Sequence, residues 1–209
     1  GDIVRRSRAK LLFTHGHFLG TDYPALLAGQ ELPDLAETIL LDSGWDGFVA
    51  RGAGSADPAA AAALARLSGE DVSDIIFTSG TTGRPKGART LHRQAVRNLR
   101  DWAERVDLRA GDRYLIVNPF FHTFGYKAGW AACLLRGAAI VPQPVFDAAE
   151  TARLIERHSI SFLPGPPTIY QSLLQALAGD QPRDFSSLRV AVTGAAPVAP
   201  SLVERMRAE

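Results

Sequence analysis

The chain has 209 residues, 46% hydrophobic and 22% charged, with a formal net charge of +1 at pH 7. That balance fits an ordinary soluble globular protein and carries no overall field to attract nucleic acid or a membrane surface. One cysteine, Cys133, excludes an internal disulfide and suits a reducing, cytoplasmic compartment. No apolar core follows the charges of "GDIVRRSRAK", so no signal peptide is expected. The longest apolar stretch, "GWAACLLRGAAIVP", is broken by Arg136 and too short to span a bilayer.

Short continuous apolar runs predict strands at residues 11–14, 38–41, 74–78, 114–118, 138–142, 160–164 and 188–194. Continuous rather than alternating runs suit strands buried on both faces. Between them lie helical patterns. "RGAGSADPAAAAALARLSGE", residues 51–70, reads as a mobile surface connection in its first half, with Asp57-Pro58 capping an alanine-rich helix. Val96, Leu99, Trp102, Ala103 and Val106 mark one helix face, and the arginines and acids around them read as a solvated face. Asp101, Glu104 and Asp112 accordingly read as surface charge. Asp147 with Glu150 reads as a capping box, and Pro166-Pro167 opens a helix that Gly179 stops. The alternation predicts an α/β fold with a mainly parallel sheet and helices on both faces. Such sheets bind ligands beyond the carboxyl ends of their strands.

"TSGTTGRPKG", residues 78–87, follows the strand-like "DIIF". A Walker loop would place glycine where Pro85 stands and a hydroxyl where Gly87 stands, so the spacing excludes that class. The physical content of an anion cradle remains. Gly80, Gly83 and Gly87 let the backbone turn its N–H groups towards one ligand. Ser79, Thr81 and Thr82 add hydroxyl donors, and Lys86 adds a mobile positive charge. The bland alternative is a polar turn between two strands.

"NPFFHTFGYKAG", residues 118–129, sets Phe120, Phe121, Phe124 and Tyr126 around His122 and Gly125. It reads either as an acyl-pocket wall or as a helix-start histidine satisfied by backbone. "AVTGAAPVAP" gives Gly194, Ala195 and Ala196 a close backbone approach to a flat ring, or simply tight strand–helix packing. Tyr170, in "LPGPPTIYQSLL", points either into the pocket or into a core. His15, His17 and Cys133 lack partners at metal-ligand spacing, and no protein metal site is expected. The absence of G-x-S-x-G and HExxH leaves hydrolase chemistry unsupported.

"TSGTTGRPKG" resembles the signature loop of the adenylate-forming enzymes: acyl-CoA synthetases, luciferase and peptide-synthetase adenylation domains. With "NPFFHTFGYKAG" and "PGPPTIYQSLL", the likeness extends over nearly the whole chain. It is strongest to actinobacterial acyl-CoA ligases, a group that includes ligases of the propanoate left after steroid ring opening. The resemblance implies that a carboxylic acid, ATP with Mg, and CoA are the reactants. It implies that Thr78, Ser79, Gly80, Thr81, Thr82, Gly83 and Lys86 hold ATP phosphates, with Lys86 steadying the departing pyrophosphate. Gly194, Ala195 and Ala196 would line the adenine and acyl sites. Phe121, His122, Phe124 and Gly125 would line the acyl pocket, with His122 near the reacting carboxylate.

The resemblance also implies that residues 1–209 are the central part of an AMP-binding N-terminal domain. A helical pattern, "PSLVERMRAE", is cut off at the last residue, and the chain lacks a starting Met. The family's Tyr-Gly-x-Thr-Glu motif and the lysine of its C-terminal catalytic domain are absent from the 209 residues. The isolated chain is therefore expected to form no acyl-CoA. A non-catalytic α/β binding module or truncated paralogue, and an enzyme that loads a carrier protein, are the alternatives.

Overall fold

All seven expected strands form, and what differs between them is how they are covered. The computed structural model describes residues 1–54, 57–78, 83–177 and 183–208. The chain divides into two compact units, residues 1–91 and 92–209.

In the first unit, helix α1 (Asp2–Ser7) precedes strand β1 (Leu11–Thr14). Two further strands, β2 (His17–Phe18) and β3 (Thr21–Asp22), form a hairpin that the apolar pattern did not predict. Leu19 and Gly20, with φ of 48° and 77°, make its two-residue turn, and strands this short leave no readable periodicity. Strand β4 (Glu37–Leu40) pairs with β1 in parallel. Helix α2 (Trp45–Gly52) sets Trp45 and Phe48 against Phe13 of β1, with ring centroids 6.2 and 5.1 Å away. Helix α3 (Pro58–Arg66) starts at the expected cap, where an Asp57 carboxylate oxygen accepts from the Ala59 N–H at 2.8 Å. Strands β5 (Val72–Thr78) and β6 (Lys86–Leu91) close the unit as an antiparallel pair. The sequence pattern missed β6, because "KGARTL" has neither an apolar run nor β-branched enrichment.

The second unit opens with the amphipathic helix α4 (His92–Arg105) and strand β7 (Arg113–Ile116). A short helical turn, α5 (Thr123–Gly125), runs through a π-type turn at Tyr126–Ala131 into α6 (Ala132–Arg136). Strand β8 (Ala139–Pro142), helix α7 (Ala148–Arg157), strand β9 (Phe162–Gly165), helix α8 (Pro167–Leu177), strand β10 (Val190–Thr193) and helix α9 (Pro200–Ala208) follow. The Glu150 N–H donates to the Asp147 carboxylate at 2.7 Å, the N-cap that the sequence announced. Gly179, the expected stop of α8, lies outside the described residues.

The four strands form one parallel sheet in the order β10-β9-β7-β8. Alternate residues of β7 feed two cores. Tyr114 and Ile116 pack with Ala103, Ala132, Cys133 and Phe162 on one face. Leu115, and Val117 just beyond the strand, pack with Ile155, Leu163, Tyr170 and Leu174 on the other. This gives the expected helix–sheet–helix layering. The β2–β3 and β5–β6 pairs of the first unit are antiparallel, beside the mainly parallel pairing expected.

One reading is corrected here, and one pair of alternatives is decided. Asp112 is not surface charge: it is 6% exposed. Its carboxylate accepts from the Arg109 N–H (2.8 Å), Ser161 Oγ (2.7 Å) and Arg189 Nη2 (2.6 Å), joining the amino-terminal ends of β7, β9 and β10. A buried carboxylate persists only with such a full set of donors. Tyr170 does not enter a pocket: it is buried, and its hydroxyl lies 2.5 Å from the Leu163 carbonyl and 3.0 Å from that of Val192.

Candidate functional site

The described part of "TSGTTGRPKG" is the stem of a hairpin. Thr78 and Lys86 face each other in the register of β5 and β6, and Thr78 Oγ1 lies 3.4 Å from the Lys86 carbonyl. Ser79, Gly80, Thr81 and Thr82 lie outside the described residues. Lys86 is exposed at the head of β6. Gly83 has φ of 80° with open space where a Cβ would stand, so its glycine serves backbone conformation. Gly87 has a different reason. It pairs with Phe77, and a Cβ there would stand 3.3 Å from that ring and 3.0 Å from Ile75 Cγ2. Its missing side chain makes room for packing on the hairpin rather than a turn for anion binding.

In the second unit, the strand ends build a cleft. The connections leaving β7 and β9 run to opposite sides of the sheet, the switch point where open α/β sheets place ligands. Asn118, just past β7, donates from Nδ2 to the Pro164 carbonyl at 3.2 Å and ties the two strand ends together. The chain then turns back so tightly that a Cβ on Gly125 would stand 2.2 Å from the Pro119 carbonyl oxygen. Gly125 is thus a close-packing residue that lets α5 begin at His122.

His122 caps α5, its Nδ1 accepting from the Phe124 N–H at 3.3 Å. An acceptor role for Nδ1 places the proton of the neutral ring on Nε2, leaving an N–H donor for a ligand. His122 lines a cavity of about 370 Å³ with Asn98, Trp102, Phe124, Lys127 and Ala195. The cavity therefore joins residues from α4, the segment after β7 and the segment after β10. Phe121 is 85% exposed and does not line it, while Tyr126 stacks on Trp130 at 4.7 Å. Of the expected aromatic wall only Phe124 faces the cavity, set edge-on to Trp102 at 6.0 Å.

Asn98, Trp102 and Lys127 are lining residues that sequence reasoning did not single out. Trp102 stood on the apolar stripe of α4, but the stripe alone did not distinguish cavity from core. Its position is set by hydrogen bonds. The indole N–H of Trp102 (2.9 Å) and the Tyr114 hydroxyl (2.5 Å) both donate to the Ala128 carbonyl. That carbonyl belongs to the π-type turn, where Gly129 leaves helical geometry with φ −100° and ψ −111°. Burial pushes the Tyr114 hydroxyl above its ordinary pKa, so it stays a donor.

After β10, Gly194 has open space around it, and Ala196 is exposed. Ala195 adopts φ of 65°, a left-handed conformation that disfavours any side chain, and it contributes to the cavity. Strain of this kind is concentrated at ligand-facing turns. Among the described residues no three His, Cys, Asp or Glu side chains gather as metal ligands. No described helix is long and apolar enough to cross a membrane.

A profile of the AMP-binding enzyme family matches residues 1–209. The chain is 51% identical, over its whole length, to a "3-[(3aS,4S,7aS)-7a-methyl-1,5-dioxo-octahydro-1H-inden-4-yl]propanoyl:CoA ligase" of Mycobacterium tuberculosis, and covers 42% of that protein. It is 45% identical to the Rhodococcus jostii ligase of the same description, again covering 42% of it. Among solved structures, the inhibitor-bound N-terminal domain of FACL13 from Mycobacterium tuberculosis superposes with a TM-score of 0.82 at 26% identity, over 99% of this chain and 50% of that one. The chain thus spans about two fifths of the length of these curated relatives.

Proposed function

The chain belongs to the AMP-binding enzyme family, and from that premise we propose that it is part of an acyl-CoA ligase whose carboxylic acid is a propanoate on a fused alicyclic ring. The observation that carries this reading is the 51% identity, over the full chain, to a ligase of such an acid. The cleft adds support, because its apolar Trp102, Phe124 and Ala195 lining suits a hydrocarbon ring system.

In the proposed reaction a carboxylate oxygen bonds to the α-phosphorus of ATP. The bond from that phosphorus to the bridging oxygen breaks, and pyrophosphate leaves. The CoA thiol then attacks the acyl carbonyl, releasing AMP and the thiol proton. Thr78, Ser79, Gly80, Thr81, Thr82 and Gly83 are assigned to the phosphates. The Lys86 ammonium stabilises charge on the leaving pyrophosphate, an interaction that strengthens as the bond breaks. His122 is assigned to the carboxylate: its Nε2–H donates to the oxygen that is not attacking, orienting the acid. Gly194, Ala195 and Ala196 are assigned to adenine and to the acyl boundary. Magnesium suits this scheme as an ion carried by the phosphates, since no described side-chain cluster is set to hold it, and it would neutralise phosphate charge.

The test is Lys86→Met in the full-length protein containing this chain, followed by pyrophosphate exchange into ATP driven by a fused-ring propanoate. A fall of about a hundredfold is expected, the scale of losing one charge-stabilising group. The thermal midpoint should hold, because Lys86 is exposed. A parent protein that exchanges pyrophosphate with no carboxylate would remove the ligase reading.

A further inference from the structure

We propose that Arg6, on the first helix, is a positioning residue for the phosphate loop, gripping both ends of the loop with one guanidinium. The inference rests on the reading that residues 78–86 hold ATP phosphates.

Arg6 Nη1 donates to the Pro85 carbonyl at 2.6 Å, across 79 residues of sequence. The same guanidinium sits over the Phe77 ring, 5.2 Å from its centroid. Phe77 leads into the loop and Pro85 leads out of it, so both limbs of the hairpin mouth meet one side chain. Asp2 completes the arrangement. One carboxylate oxygen pairs with Arg6 at 3.2 Å, and the other faces Arg84 Nη2 at 3.6 Å.

Each contact has a physical reason. Pro85 has no N–H and stands just outside the β5–β6 ladder, so its carbonyl needs a donor from elsewhere. A charged donor makes a stronger bond to it than a neutral one. The Phe77 ring is available as a platform because its cross-strand partner is Gly87. Arginine suits all three tasks because its planar fork stacks, donates and pairs at once, whereas a lysine ammonium is a single point charge. Holding the Pro85 carbonyl fixes the Arg84–Pro85 peptide and the approach to Gly83, whose φ of 80° marks the sharpest described bend of the loop. Lys86 is the next residue. Arg6 thereby sets where the Lys86 ammonium starts, without touching nucleotide itself.

The test compares the full-length parent with Arg6→Met, which keeps an unbranched stem, and Arg6→Lys, which keeps the charge. Hydrogen exchange followed by mass spectrometry should show amides of residues 83–87 exchanging about tenfold faster in Arg6→Met, a local opening rather than a global one. In pyrophosphate exchange the KM for ATP should rise about tenfold, equivalent to about 1.4 kcal/mol. The KM for the carboxylate and the thermal midpoint should stay at parent values, and Arg6→Lys should recover part of the ATP effect. Unchanged protection of residues 83–87 in Arg6→Met overturns the proposal. So does an active variant whose KM for ATP is unchanged, or whose two KM values rise together as its midpoint falls. If the parent shows no exchange with any acid, the ligase reading fails, and amide protection then decides the role of Arg6 alone.

Discussion

Two loops of this chain, one glycine-rich and one aromatic with a single glycine, are held in opposite ways. "TSGTTGRPKG" joins antiparallel strands whose residues are exposed or half-buried, and its mouth is fixed by side chains from a distant helix. "PFFHTFG" leaves β7, buried from Tyr114 to Ile116, in a four-stranded parallel sheet and is fixed by backbone packed on backbone. A turn gripped by side chains can adjust when a neighbour changes. A turn wedged against peptide groups cannot, because protein interiors are close-packed. The first arrangement suits the loop proposed to hold the ATP phosphates. The second suits a cavity wall of set shape.

The largest effect should come from breaking the wedged turn. Gly125→Ala would drive a methyl to 2.2 Å from the Pro119 oxygen, with a cost of about 3 kcal/mol in urea unfolding. A loss below about 1 kcal/mol would mean that the segment after β7 yields as readily as the hairpin.

Next comes the polar brace at the other end of the same sheet. Asp112→Asn leaves Arg189 facing a neutral amide and should cost about 2 kcal/mol at pH 7. Burial raises the Asp112 pKa, but the bonds from Arg189, Ser161 and the Arg109 N–H outweigh it and leave the carboxyl below its ordinary value. A carboxyl lowered on folding gives stability that is complete above its unfolded pKa of about 3.9 and disappears as pH falls through the lower folded value. Acid titration of stability should therefore bring parent and Asp112→Asn together below pH ~4, with the gap widest near neutrality. A constant gap across that range would show that Asp112 acts through packing rather than charge.

The smallest effect should come from the hairpin. Gly87→Ala meets the Phe77 ring at 3.3 Å and an Ile75 methyl at 3.0 Å. Both are side-chain atoms that can move aside, so thermal unfolding should show a loss under about 1 kcal/mol. A loss matching that of Gly125→Ala would erase the contrast between the two turns.

Much of the second unit was legible because its signals are local. Strands buried on both faces leave continuous apolar runs, and Asp147 and Pro167 announce helix starts by their own chemistry. The antiparallel partner β6 was hidden because exposed residues such as Arg89 carry no pattern. Asp112 passed for surface charge because its burial depends on Ser161 and Arg189, 49 and 77 residues away. His122 and Ala195 were singled out from their sequence segments, and they share a cavity. Trp102 and Asn98 were not, since only folding brings α4 to the end of β7. Phe121 misled for the converse reason: its neighbours in sequence line the cavity while it faces solvent.

The lone thiol has a practical consequence. Cys133 is fully buried, and burial pushes its pKa up to about 12, so almost no thiolate exists at neutral pH to attack an electrophile. A maleimide dye should therefore leave Cys133 of the folded chain unlabelled. Phe121→Cys would place one addressable sulfur on an 85% exposed position, one residue from the cavity-lining His122. A fluorophore there would report ligand entry into that cleft with Cys133 left in place.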